Sequence, residues 1–117
     1  MSREVVVGTV GDLPLGETRK FLLPTDGEPT EAFLVNVGGA VHAWVNRCRH
    51  VPLTMDWVEG RFLDETRCWI VCSTHGALYR PDTGECVSGP PFGAFLIRVP
   101  LRTDGDQLVA SVPPELA

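Results

Sequence analysis

The sequence contains no long hydrophobic run. No window approaches the ~18 continuous apolar residues of a membrane span. Val5-Val6-Val7 is cut short by Gly8, too brief for the apolar region of a secretory signal. The expectation is a cytoplasmic protein with no membrane partner. Basic residues are also few: 10 Lys and Arg stand against 15 Asp and Glu, for a formal net charge of −5, and they form no cluster. That excludes the electrostatic footprint of a nucleic-acid binder. Helical spacing is scarce, and there is neither an internal repeat nor a low-complexity segment. A chain of 117 residues with 44% apolar and 21% charged residues is neither disordered nor long enough for two cores, so one domain over residues 1–117 is expected. Four cysteines suggest disulfides only in a secreted context. In a reducing compartment, metal ligation is the first reading.

The chain is instead rich in turn formers, with 12 glycines and 10 prolines spread without a period. Short alternating segments bounded by Gly, Pro or Asp recur at the ~8–12-residue interval of an all-β domain. Strands are expected over Glu4 to Val10, Lys20 to Leu23, Arg67 to Val71, Ala77 to Tyr79, Phe95 to Leu101 and Gln107 to Val112. Phe95, Ile97, Val99 and Leu101 should share one face. Ala32 to Val37 and Ala40 to Val45 flank Gly38-Gly39, which can supply the positive φ angles of a tight hairpin. Pro81-Asp82-Thr83-Gly84 and Asp104-Gly105-Asp106 read as turns, and Pro113-Pro114 as the end of pairing.

All four cysteines and two of the three histidines fall within residues 46–91. Cys48-Arg49-His50 is a Cys-x-His pair and Cys72-Ser73-Thr74-His75 a Cys-x-x-His pair. Any one of these residues alone is more often a buried small side chain or a surface imidazole than a ligand. Two mixed pairs in turn-like sequence are another matter, because loops can aim both members of each pair at one point. The set Cys48, His50, Cys72 and His75 satisfies tetrahedral zinc. It equally satisfies a [2Fe–2S] centre in which two thiolates hold one iron and two imidazoles the other. Zinc fingers normally pair like with like, whereas here each loop contributes one ligand of each kind. Cys68 and Cys86 lie outside both pairs and read as small buried residues, with a disulfide between them as the alternative. His42 reads as a surface residue, and Trp44, Trp57 and Trp69 as packing residues.

The run Asn46-Arg47-Cys48-Arg49-His50 with Pro52-Leu53, then Cys72-Ser73-Thr74-His75-Gly76-Ala77-Leu78-Tyr79, Thr83-Gly84-Glu85 and Gly89-Pro90-Pro91, resembles the Rieske [2Fe–2S] domain family. The preceding hairpin and the final strands extend the resemblance over almost the whole chain. It implies a Rieske-like antiparallel β-sandwich with a small cluster-binding subdomain, about 46–91, built from two loops. It implies Cys48 and Cys72 as ligands of an inner iron and His50 and His75 as ligands of an outer iron near solvent. Gly76 would let bare backbone approach the cluster, and Gly89-Pro90-Pro91 would cover it. Ser73 stands where the family usually has proline, and the segment from His50 to Cys72 is longer than in many Rieske ferredoxins, suggesting an extended hairpin around Thr54 to Arg67. The positions of the two cysteines that staple the loops in respiratory Rieske proteins are Leu53 and Thr74, so the chain is more similar to the soluble ferredoxin branch.

The resemblance implies a Rieske-type ferredoxin, a monomeric one-electron carrier between a flavin-containing reductase and a terminal oxygenase or similar oxidoreductase, with no catalytic site of its own. A small subunit of an assimilatory nitrite reductase and a zinc-binding interaction module are the alternatives. The serine donor that follows His-Gly in high-potential members is Ala77 here, while the tyrosine donor is present as Tyr79. The expected potential is in the low half of the family's span of roughly −150 to +300 mV.

Overall fold

The computed structural model describes residues 3–47, 62–72, 76–89 and 91–116. Within them the chain is all-β, as expected, with one 3-10 turn at Pro114–Leu116 after pairing ends. The strands are β1 (Glu4–Thr9), β2 (Thr18–Leu23), β3 (Thr30–Val37), β4 (Ala40–Val45), β5 (Ile70–Cys72), β6 (Ala77–Tyr79), β7 (Cys86–Ser88), β8 (Leu101–Asp104) and β9 (Gln107–Ser111). They form three antiparallel sheets, ordered β1-β9-β8, β2-β3-β4 and β5-β6-β7.

The β2-β3-β4 sheet is the middle layer. Side chains alternate along a strand, yet Ala32, Phe33, Leu34 and Val35 of β3 are all buried. Ala32 and Leu34, with Ala43 and Val45 of β4, join Val7, Leu23, Val99 and Ala110 in an aliphatic core beside the first sheet. Phe33, Val35 and Trp44 face the other way, into a core of Phe62, Ile70, Cys72, Tyr79, Cys86 and Leu96 beside the third sheet. Phe33 and Phe62 stack with centroids 4.0 Å apart. A strand buried on both faces loses the polar alternation of a solvated sheet, which is why β3 reads as a continuous apolar run. The β3–β4 hairpin closes at Gly38-Gly39, with φ of 65° and 88°, as anticipated.

Two strand expectations need correction. Arg67 to Val71 is a strand only from Ile70, because Arg67 has φ 59° and its N–H donates to Asp64 O at 3.0 Å, closing a turn. Asp64 Oδ1 accepts from the Thr66 hydroxyl and reinforces that turn. Cys68 is therefore exposed and shares no strand parity with Ile70 and Cys72. Cys86 is buried, as expected, and the described residues contain no disulfide.

Phe95 to Leu101 is not a continuous strand. Its first half is a strap touching two sheets in turn, with Phe95 bridged to Glu85 and Arg98 to Trp44. Leu96 N–H donates to Gly84 O, while Val45 N–H donates to Ile97 O and Val99 N–H to Ala43 O. Pro100 has no N–H, and β8 begins only at Leu101. Phe95 is 52% exposed, and Leu96 turns into the aromatic core instead. Strand β7, three residues long, carries too few positions for a period to show.

Trp44 is a packing residue, fully buried, while Trp69 and His42 are half-buried rather than fully in or out. Trp57 lies outside the described residues, as does the expected extended hairpin up to residue 61. From Phe62 the chain does double back, with Val71 N–H donating to Phe62 O at 2.8 Å and Asp64 N–H to Trp69 O at 3.0 Å.

Candidate metal centre

Of the four expected ligands, Cys72 is described, and Cys48, His50 and His75 lie outside the described residues. Cys72 ends β5, where strand alternation points Ile70 and Cys72 into the aromatic core and leaves Val71 half-exposed. It pairs with Ala77, the first residue of β6, and its carbonyl accepts from Gly76 N–H at 2.7 Å. That bond closes a loop spanning residues 72–76, the i-to-i+4 form of turn. Gly76 has φ +68°, a conformation that side chains with a Cβ rarely adopt, so it ends the loop for conformational reasons.

A close approach of bare backbone to the chain itself occurs at Gly89. A Cβ there would lie 2.8 Å from Ala77 Cα and 3.0 Å from its Cβ. The chain at Gly89 thus lies directly on the start of β6, at the Cys72 end of the sheet. It is held as a compact turn: Phe92 N–H donates to Gly89 O, Ala94 N–H to Pro91 O, and Gly93 N–H to Cys86 O. Pro91 is buried beneath it, and Pro90 lies outside the described residues. Tyr79, two residues after Ala77, is fully buried in the same core as Cys72.

A second tie fixes the far end of this sheet. Trp44 Nε1 donates to Pro81 O at 3.1 Å, and a Cβ on Gly84 would sit 2.5 Å from the Trp44 ring. Arg98 lies over that ring, 4.5 Å from its centroid, and donates to Asp82 O. The turn Pro81-Asp82-Thr83-Gly84 is thereby clamped to β4. No local pattern could reveal this contact, which joins residues 37 apart. His42 flanks the clamp, lining a cavity of about 380 Å³ with Cys68, Trp69 and Arg80. Burial pushes its pKa below the ordinary imidazole value, the Arg98 charge pushes the same way, and Asp82 opposes both. His42 thus sits toward the Arg80 end of the β5–β6 pair, whereas Cys72 lies at the Ala77 end.

Among the described residues, no group of three or more His, Cys, Asp or Glu side chains gathers to hold a metal. Cys72 nevertheless fits the sulfur end of an iron–sulfur centre. It is a thiol at 0% exposure, at the end of a short strand, with Gly89 packed on its pairing partner Ala77. Among the described residues no helix is long and apolar enough to cross a membrane.

The chain matches the Rieske [2Fe-2S] domain over residues 3–111. It is 31% identical over 111 residues to the cytochrome b6-f complex iron-sulfur subunit of Chlorobaculum thiosulfatiphilum, a match covering 92% of this chain and 53% of that protein. The chain therefore spans about half the length of the curated relative it matches. Among solved structures it resembles the ferredoxin of carbazole 1,9a-dioxygenase from Nocardioides aromaticivorans IC177, with a TM-score of 0.67 and 22% identity, over 93% of this chain and 97% of that one. It also resembles the terminal oxygenase of carbazole 1,9a-dioxygenase from Novosphingobium sp. KA1, with a TM-score of 0.73 and 24% identity, over 92% of this chain and 29% of that one. The Rieske domain binds a [2Fe–2S] cluster. The chain belongs to the Rieske [2Fe-2S] domain family.

Proposed function

We propose that this Rieske electron carrier acts as a ferredoxin, a monomeric cytoplasmic protein passing single electrons from a flavin-containing reductase to a terminal oxygenase or similar oxidoreductase. Its cluster ligands are Cys48 and Cys72 at the inner iron and His50 and His75 at the outer iron, in a subdomain of about 46–91 within one domain. The observation that carries the reading is the Cys72 loop: a buried thiol, a Gly76-closed turn and the Gly89 segment laid against it.

When bound, the cluster supplies one-electron chemistry. The chain's own residues do the rest. The aromatic core excludes water from the Cys72 thiolate, and the loop bond from Gly76 N–H to Cys72 O holds it at the sheet edge. The clamp at Trp44 fixes the opposite end of the β5-β6-β7 sheet, so the loop is presented by a supported hairpin. Hydrogen bonds to cluster sulfurs favour the reduced state and raise the potential. Ala77 has no donor, and we assign that role to the Tyr79 hydroxyl. Voltammetry of Tyr79→Phe should show a lower potential, and an unshifted value with the cluster intact removes Tyr79 from the tuning set.

The purified protein should be reddish brown, with two irons and two sulfides per chain. Cys72→Ala should abolish assembly, whereas His75→Cys should leave a cluster held by three thiolates and the His50 imidazole, at lower potential. A Cys72→Ala protein with the full visible spectrum, or a colourless protein that takes up only zinc, contradicts the ligand set. A second reading, the Rieske subunit of a quinol-oxidising complex, is favoured by the curated relative. Stopped-flow mixing separates the two: rapid reduction by a flavin reductase and onward transfer to an oxygenase supports the ferredoxin, and reduction by a quinol alone supports the subunit.

A further inference from the structure

Residue 46, two positions before Cys48 in the sequence, is a buried asparagine, exposed by only 5%. Strand β4 makes its last pair at Val45, opposite Ala32. One residue further on, Asn46 is held twice by Glu31, the residue before Ala32. The Asn46 backbone N–H donates to Glu31 O at 2.9 Å, and Asn46 Nδ2 donates to Glu31 Oε1. Glu31 Oε1 also faces Lys20 Nζ of β2 at 3.3 Å, which offsets the carboxylate charge in its half-buried position. Immediately after Asn46 the chain bends, with Arg47 N–H donating to Val45 O at 2.9 Å.

The backbone bond alone would extend the β3–β4 ladder by one rung. The side-chain bond adds what a ladder does not require: a charge-assisted contact from a buried amide, made to the same residue. It fixes the rotation of the chain about its own axis at the point where the strand gives way to the loop. A ligand loop holds its geometry only if its base is held, and outer groups that orient ligands are typically worth ~10–100-fold in metal affinity.

We propose that Glu31 is a positioning residue for the metal centre, setting through Asn46 the direction in which the chain leaves β4 toward Cys48 and His50. This inference rests on the reading of those two residues as ligands. Lys20 neutralises Glu31 and is not itself the positioning group.

The test uses the cluster-loaded protein, with three readouts: the electron paramagnetic resonance line shape after reduction, the midpoint potential, and the rate of iron loss to a chelator. Asn46→Asp sets a second carboxylate against Glu31. It should broaden the signal, shift the potential and speed iron loss by roughly tenfold or more. Adding Glu31→Gln on that background restores a donor–acceptor pair and should return all three readouts toward the parent, as a coupled pair demands. Lys20→Met changes the net charge by the same amount as Asn46→Asp and leaves the Glu31–Asn46 bond in place, so it should leave the line shape and the loss rate unchanged.

An Asn46→Asp protein with parental line shape and loss rate overturns the proposal, as does a Lys20→Met protein that reproduces the full effect or a double variant that is not rescued. If Asn46→Asp does not fold, Glu31→Ala deletes the acceptor without repulsion and carries the same expectation and the same reversal. Cys48→Ala distinguishes the levels. A colourless Cys48→Ala protein beside an unaffected Asn46→Asp protein removes only the role of Glu31, whereas a fully coloured Cys48→Ala protein removes the ligand reading beneath it.

Discussion

The two outer sheets of this molecule are built on opposite plans. The β1-β9-β8 sheet covers an aliphatic core with strands of four to six residues and long registers, Glu4 to Thr9 pairing with Ser111 to Gln107. The β5-β6-β7 sheet has three strands of three residues each, and its core holds Phe33, Trp44, Phe62 and Tyr79 together with Cys72 and Cys86. A sheet of so few residues is not stable by its own ladder. It depends on what it is fastened to: the middle sheet through Trp44 and Phe33 and, on the proposed ligand set, the metal. The first sheet is a scaffold that folds by burial. On the proposed ligand set, the third is a holder whose order is shared with its cofactor.

The largest test of that contrast is removal of the iron. Metal binding is coupled to the order of its ligand loops, so in the iron-free protein amide exchange over residues 70–72, 77–79 and 86–88 should speed by roughly a hundredfold or more while β3 and β9 stay protected. Equal loss of protection in all three sheets would show that the two plans are not energetically separate.

Replacing Trp44 sharpens the comparison at the fastening itself. Trp44→Ala should cost roughly 3–5 kcal/mol by denaturant unfolding, a large part of a typical total of about 5–15 kcal/mol. It also removes the hold on Pro81 and the platform for Arg98. Leu34→Ala, on the opposite face of the middle sheet, should cost about 2–5 kcal/mol and leave the visible spectrum of the cluster unchanged. Trp44→Ala should alter that spectrum in the folded fraction.

Two glycines separate conformation from contact. Gly84→Ala meets both a φ of +77° and the Trp44 ring at 2.5 Å, and should cost roughly 2–4 kcal/mol. Gly27→Ala, at φ +76° with nothing within 4 Å, should cost about 1–2 kcal/mol. Thermal unfolding of the pair measures the difference, and equal costs would mean that the clamp yields freely.

The smallest effect is on pH dependence. Because the pKa of His42 is lowered in the folded state, the unfolded chain takes up a proton first as pH falls below about 6.5, the ordinary imidazole value. The His42 contribution to stability is therefore complete above that pH and declines below it, through the folded pKa. Unfolding between pH 7.5 and 5 should show this slope in the parent and a shallower one in His42→Gln. The carboxyls of Glu4 and Asp82, lowered by Arg102 and Arg80, and of Asp12, lowered by the Thr9 backbone N–H and then by Arg19, give up their contribution only at still lower pH.

Local patterns announced what depends on neighbours in the chain. The β3–β4 hairpin follows from two glycines between apolar runs, β6 from the turn Pro81-Asp82-Thr83-Gly84 that follows it, and the last hairpin from Asp104-Gly105-Asp106. The misreadings have a common cause. Arg67 to Trp69 carries strand-type residues, but Asp64 and a left-handed Arg67 spend them on a turn. Phe95 to Val99 alternates like a strand, yet it serves two sheets in succession, so Phe95 and Leu96 exchange the faces that alternation assigns.

The sequence by itself determined the all-β class, the family and the candidate ligand set, because turn residues and paired Cys/His spacings act over a few residues of chain. Tertiary structure alone decided that β3 is buried on both faces, that Cys68 is outside while Cys86 is inside, and that Trp44 and Gly84 lock one end of the small sheet. It alone decided, too, that Glu31 reaches Asn46. Each of these joins residues distant in sequence, and such contacts are chosen by the packing of whole sheets against one another rather than by the preference of any segment.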